Sequence, residues 1–163
     1  KLYNLKNFGI RGEELVTDVG ANAKMNEFCA IMGLCNLKHM KKTLMERKKK
    51  YNFYWNMLNG VQGIRCLCER SDVVRNYAYF PIIVEDSYDE TRDELYQRLK
   101  NNNIFSRKYF FPLTSDQACF KNKYKNLSLE NARKLSKRVL VLPFYEEIEE
   151  ETQKRIMDLI LKE

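Results

Sequence analysis

RNYAYFPIIVEDSYDETRDELYQRLKNNNIF (75–105) reads as a strand followed by a helix. Tyr77–Val84 is rich in aromatic and β-branched residues, which suit a pleated, half-buried surface. Pro81 lies inside that run and has no N–H for a ladder bond, so the strand is expected at a sheet edge or with a bulge. From about 89 to 101 the period becomes helical, with Leu95 and Leu99 turned inward and Ser87 or Asp86 as the starting cap. The triplet Asn101, Asn102 and Asn103 closes that helix, and Ile104 and Phe105 enter another extended segment.

Toward the N-terminus, Ile64–Cys68 is a second strand. Before it, Leu37, Met40, Leu44, Tyr51, Trp55 and Leu58 recur at helical spacing from an Asn36 cap to a stop at Asn59 and Gly60. A separate helix precedes that one. Met25, Phe28, Cys29 and Met32 form its apolar stripe, and Gly33 weakens it near its end. Residues 9–23 read as loop or short strand, punctuated by Gly9, Gly12 and Gly20. Leu2 and Leu5 read as the tail of a helix stopped by Gly9, and with Lys at position 1 they suggest a fragment of a longer protein. Beyond 105, residues 106–127 are irregular and aromatic. Ser128 caps a short helix burying Leu129, Ala132 and Leu135, Val139–Leu142 is extended or a helix end stopped by Pro143, and a last helix covers about 146–162. The order predicts a small α+β domain, a short and mainly antiparallel sheet with helices packed on one face.

The 163 residues are 44% hydrophobic and 31% charged, a globular mixture. No apolar run approaches the roughly 20 residues that span a bilayer, so no membrane partner is expected. The net charge of +7 suits an anionic partner, but KHMKK (38–42) and ERKKK (46–50) share one predicted helix and read as a solvated face. A basic nucleic-acid-binding module on that helix is therefore the lesser reading, with salt-sensitive binding as its signature. Cys29, Cys35, Cys66, Cys68 and Cys119 include no CxxC pair, and His39 is the one histidine. They read as reduced, mostly packed thiols of a cytoplasmic protein, with no metal site.

The residues alone name no reaction: GxGxxG, Walker, HExxH and GxSxG motifs are absent. Two stretches carry possible chemistry. In VGANAKMNEF (19–28), Gly20 allows an unusual backbone, and Asn22 and Lys24 could hold a phosphate beside a helix start. Asn22 as a simple N-cap with Lys24 in solvent accounts for the same residues. In SRKYFFPLTS (106–115), Arg107 and Lys108 abut three aromatics, a grouping that can clamp an anion and stack a ring. An aromatic loop packed on the core with both cations snorkelling accounts for it equally well.

Three collinear segments resemble one family. NFGIRGEE with VGANAKMNEFCAIMGLCNLKHM (7–40), RNYAYFPIIVE with TRDELYQRLKNNNIFSRKYFFPLTS (75–115) and RVLVLPFYEEI (138–148) resemble the C-terminal domain of DegT/StrS-type sugar aminotransferases. The resemblance implies the small C-terminal domain of a fold-type-I aminotransferase over 1–163. Within it, 24–59 would be long interface helices and 60–163 an α+β subdomain. It implies a homodimer with shared active sites, pyridoxal phosphate (PLP) as cofactor, and amino transfer, usually from glutamate, to a keto-sugar on a nucleotide diphosphate. Asn22 aligns with an asparagine that reaches the cofactor phosphate across the dimer. Lys24 stands where arginine is frequent, and its ammonium lacks a planar, two-pronged contact with substrate anions. Tyr109 aligns with an aromatic lining the substrate pocket. Arg107 and Lys108 approach the same ligand face, and Thr114 stands where many relatives have histidine. The 106–115 loop is worded most like relatives acting on dTDP-4-keto-6-deoxy sugars. No lysine here has the family's Ser-x-x-x-x-Lys context, so the chain holds no catalytic residue and is expected to be inert alone. A relative that kept the fold without the chemistry is the remaining alternative.

Overall fold

The computed structural model describes residues 1–11, 15–68, 70–117, 119–120, 123–124 and 126–162. Gly12, one of the expected turn glycines, lies outside them. The chain forms two compact units, Lys1–Lys42 and Thr43–Glu163.

The first unit opens with α1 (Leu2–Leu5) and the antiparallel pair β1 (Ile10–Arg11) and β2 (Leu15–Val16). Gly9 follows the helix at φ +76°, and a Cβ there would lie 1.6 Å from the Asp18 carbonyl oxygen. Only glycine fits both constraints. The next element, α2 (Glu27–Leu58), is one helix of 32 residues, where the sequence suggests two. Gly33 costs about 1 kcal/mol against alanine, but propagation is cooperative and a single weak residue does not end a long helix. Asn36 lies inside α2, and the cap is Asn26, whose Oδ1 accepts from the Cys29 N–H at 2.9 Å.

Of the expected stripe, Phe28, Cys29 and Met32 lie on the first part of α2 and Met25 precedes it, and none of them is buried. Met25 is 71% exposed and Phe28 83%, and Met32, Leu37 and Met40 are exposed too. A four-residue helix and a two-residue hairpin give this unit too little apolar surface to cover it. The same cause leaves Cys29 and Cys35 exposed. Of the five thiols only Cys66 is buried, contrary to the packed set expected. Burial, and secondarily the neighbouring Cys68, pushes Cys66 up to about 11.

The second unit is built on β3 (Ile64–Cys66), β4 (Phe80–Val84) and β5 (Val139–Leu142), antiparallel in the order β3-β4-β5. One face presents Ile64, Cys66, Phe80, Ile82, Val84, Leu140 and Leu142. Against it pack Tyr51, Tyr54 and Leu58 of α2, Leu95 and Leu99 of α3 (Arg92–Asn101), and Ile156, Met157 and Ile160 of α5 (Glu150–Leu161). Tyr54, fully buried, donates to the Pro143 carbonyl at 3.0 Å and ties α2 to the end of β5.

The strand with Pro81 is central and carries no bulge, contrary to expectation. Val141, the partner of Pro81, gives both its N–H and its carbonyl to Arg107. Pro81 therefore sits at a non-hydrogen-bonded position toward β5. Its nitrogen points to the β3 side, where pairing has already ended at Cys66 and Ile82. No ladder bond is lost.

The cap of α3 is Thr91, not Ser87 or Asp86. Thr91 and Glu94 form a reciprocal capping box, with the Thr91 N–H donating to Glu94 Oε2 at 2.7 Å. Asn103, at φ +61°, turns the chain out after the helix. Helix α4 (Glu130–Ser136) starts at Leu129 without a side-chain cap, so Ser128 does not serve. It buries Ser136 and leaves Ala132 and Leu135 exposed, opposite to the expected apolar face. Helix α5 begins at Glu150, later than expected, because Tyr145–Ile148 forms a turn that buries Ile148.

Candidate functional site

The two stretches singled out in the sequence fall in different units: Asn22 and Lys24 in the first, Arg107, Lys108 and Tyr109 in the second.

In the first unit, residues 21–23 lie against residues 5–8. Ala21 N–H donates to Leu5 O, Phe8 N–H to Ala21 O, and Ala23 N–H to Lys6 O, while Asn7 and Asn22 form a β-bridge. Gly20 makes this approach possible. A Cβ there would lie 2.5 Å from Leu5 O and 2.6 Å from Gly9 N. Its role is close backbone approach; the left-handed φ that glycine permits is not used here. Asn22 has its backbone fixed and its side chain exposed, with no side-chain hydrogen bond among the described residues. It does not cap α2, since Asn26 does. Lys24 is exposed, its Nζ 5.5 Å from the centre of the Phe8 ring. A fixed, outward amide with a cation two residues on is a donor set that suits a phosphate.

In the second unit, Arg107 pairs with Val141 through N–H···O bonds of 2.9 and 2.7 Å, which pin the loop to the outer edge of β5. Downstream of that pin the loop turns outward. Tyr109 is 37% exposed, stacked on Phe110 at 4.9 Å and edge-on to Tyr79 at 5.8 Å. The Arg107 side chain is exposed. Lys108 is already engaged, ion-paired to Asp93 with its Nζ 4.2 Å from the centre of the Tyr96 ring. Phe111 lies over the Arg92 guanidinium at 4.9 Å. Tyr96 and the loop residues Arg107–Phe111 line a cavity of about 410 Å³, together with Ser106 and Gln117. Ser106 is buried, and its Oγ has no partner among the described residues. Thr114 is exposed at the start of a short 3-10 turn, Thr114–Asp116.

Sequence reasoning missed Arg92 and Asp93. Arg92 is 2% exposed, and its Nη1 donates to Ser136 O at 3.0 Å and Val139 O at 2.9 Å. Its Nε donates to Asp93 Oδ1 at 2.9 Å. Partial burial pushes Asp93 up, but the Lys108 hydrogen bond and the charges of Arg92 and Lys108 outweigh it and hold the carboxyl below its ordinary value. The signal was present. A cation in the first turn of a helix opposes the macrodipole unless something else holds it, and TRDE (91–94) places Arg92 there.

The DegT/DnrJ/EryC1/StrS aminotransferase family model matches residues 1–161. The dTDP-4-amino-4,6-dideoxy-D-glucose transaminase of Escherichia coli is 39% identical over 99% of this chain, and that of Shigella dysenteriae 36% over 98%. The chain spans 44% of the length of each. The sugar aminotransferase CalS13 from Micromonospora echinospora superposes with a TM-score of 0.83 at 20% identity, over 99% of this chain and 43% of that one. The α+β fold is that of the small domain of a fold-type-I aminotransferase. With a match from one end of the chain to the other, this protein belongs to the DegT/DnrJ/EryC1/StrS aminotransferase family.

Proposed function

We propose that this chain is the C-terminal part of a cytoplasmic, homodimeric, PLP-dependent enzyme that transfers an amino group from glutamate to a dTDP-4-keto-6-deoxy sugar. The observation that carries this reading is the 39% identity, over 99% of the chain, to a dTDP-4-amino-4,6-dideoxy-D-glucose transaminase. PLP, when bound, supplies the electron sink that amino transfer needs. The lysine that holds it belongs to a segment outside this chain.

What these residues contribute is binding and orientation. Asn22 donates its side-chain N–H to the cofactor phosphate of the other subunit, which the exposed and uncommitted amide permits. Lys24 adds a positive charge beside it for substrate anions. In the other unit, Tyr109 offers a ring face to the sugar nucleotide, and Arg107 offers a guanidinium that no ion pair among the described residues occupies. Lys108 stands next to them but meets an anion only by leaving Asp93. The exposed apolar stripe of Met25, Phe28 and Met32 has the character of a surface that the rest of the protein or the second subunit covers.

The test is Asn22→Ala in the complete enzyme, read by cofactor absorbance during dialysis. A hydrogen bond to a charged phosphate contributes roughly 1.5–3 kcal/mol, so PLP affinity should fall about ten- to hundredfold. Circular dichroism should be unchanged. Unaltered PLP affinity removes Asn22 from the site. The 163-residue chain by itself should show no transamination above a boiled control.

A further inference from the structure

Tyr109 lies between two fixed points, and both belong to the first turn of α3. On one side Lys108 is ion-paired to Asp93. On the other Phe111 lies over the Arg92 guanidinium. Arg92 is itself immobilised, 2% exposed and bonded to the carbonyls of Ser136 and Val139 at the entry to β5. Its Nε also bonds Asp93, so the two anchors are one unit. The loop's start is held separately, by the Arg107–Val141 bridge. A residue flanked by anchors three positions apart has little freedom to rotate away.

We propose that Arg92 and Asp93 act as positioning residues for the sugar-nucleotide pocket, clamping Lys108 and Phe111 so that the Tyr109 ring is preset for the ligand. The proposal rests on the reading that the 106–112 loop faces substrate. Lys108 then acts through the loop and not on the substrate. Preorganisation of this kind lowers the ordering cost of binding, so its loss appears in KM for the sugar nucleotide and not in kcat or in KM for the amino donor.

The experiment uses the complete enzyme with PLP bound. Asp93→Asn is the main variant because Asp93 is largely exposed and its carboxyl can be neutralised without opening a core. An ion pair at this exposure is worth up to about 1 kcal/mol, which corresponds to a three- to fivefold change. Amide exchange at Phe111, whose N–H donates to Lys108 O at 2.7 Å, should accelerate by about that factor in the absence of substrate. KM for the dTDP-sugar should rise three- to fivefold, with kcat and the amino-donor KM within twofold. Lys108→Gln, which leaves the Arg92–Asp93 pair in place, should give the same changes in loop exchange and KM, and the double variant should be no worse in either than Asp93→Asn alone. Tyr109→Ala tests the underlying reading separately and should raise the sugar-nucleotide KM at least as much.

Unchanged loop exchange in Asp93→Asn overturns the clamp, whatever the kinetics show. A lower KM in Asp93→Asn also overturns it, because a freed Lys108 would then be touching substrate directly. If Tyr109→Ala leaves the sugar-nucleotide KM unchanged, the substrate reading of the loop fails and the functional half of the proposal goes with it. The exchange result still decides whether the clamp exists.

Discussion

Gly20→Ala tests the backbone that carries Asn22. An alanine Cβ would meet Leu5 O at 2.5 Å and Gly9 N at 2.6 Å, both main-chain atoms that cannot swing aside. Reaching an ordinary carbon–oxygen contact of about 3.3 Å requires the two segments to part by roughly 0.8 Å. That separation breaks or stretches the three bonds joining them, Ala21 N–H to Leu5 O, Phe8 N–H to Ala21 O and Ala23 N–H to Lys6 O. At about 1 kcal/mol net for each, the local loss is about 3 kcal/mol, or roughly a hundredfold in an opening equilibrium. Hydrogen exchange resolved by residue is the assay. Amides of Phe8, Ala21 and Ala23 should exchange about a hundredfold faster in the variant. The Ile82 and Leu140 amides, paired across β4 and β5, report global unfolding and should not change. If Phe8, Ala21 and Ala23 keep wild-type protection, the close approach at Gly20 does not hold this turn. The preset position of Asn22 then needs another cause.

Three further outcomes follow from other parts of the fold. Thr91→Ala removes the acceptor for the Glu94 N–H and half of a capping box. It should cost about 1 kcal/mol in urea unfolding, and Thr91→Ser should restore most of it. Tyr54→Phe leaves the Pro143 carbonyl without its 3.0 Å donor in a fully buried setting, so a loss of about 1–2 kcal/mol in the same assay is expected. Glu85 is held below its ordinary value of 4.5 first by the Arg65 hydrogen bond, at 2.8 Å, and then by Arg138, against some burial. A carboxyl lowered on folding stabilises the native state above its unfolded pKa, and that contribution is lost as pH falls through the folded value. Wild type should therefore lose more stability than Glu85→Gln between about pH 6 and pH 3, a span that runs from above to below ordinary carboxylate values. Parallel acid titrations of the two would overturn the assignment.

Local patterns made the strands and the main helices legible. Ile64–Cys66 and Phe80–Val84 sit within the apolar and β-branched runs read as strands, Val139–Leu142 is the strand of its two readings and not the helix end, and Leu95 and Leu99 are fully buried as their spacing suggests. What failed was inference from one residue to a whole element. Pro81 excludes one hydrogen bond on one side of a strand, and a central strand can aim that side past the end of its neighbour. Gly33 and Asn36 lower helix propensity locally, but a helix of 32 residues outweighs them. The stripe from Met25 to Met32 shows a second limit: periodicity tells which face is apolar, and only the remaining structure tells whether anything covers it.

The candidate site divides along the same line. Asn22 and the 106–112 loop could be marked because their residue types and order carry the resemblance to the family. The clamp on that loop could not, because Lys108 meets Asp93 across 15 residues and Arg92 meets Ser136 and Val139 across 44 and 47. Nothing in a window of helical or strand length contains those pairs. The one local trace was electrostatic. Arginine in the first turn of a helix faces four N–H dipoles of its own sign, a position that costs free energy unless carbonyls or a carboxylate surround the guanidinium. Here two carbonyls and Asp93 do so, and the same neighbours that make Arg92 tolerable at that position also hold it rigid enough to anchor Phe111. A misplaced charge in a helix start is thus a sequence-level sign of a long-range contact, and in this chain the contact leads to the loop that carries Tyr109.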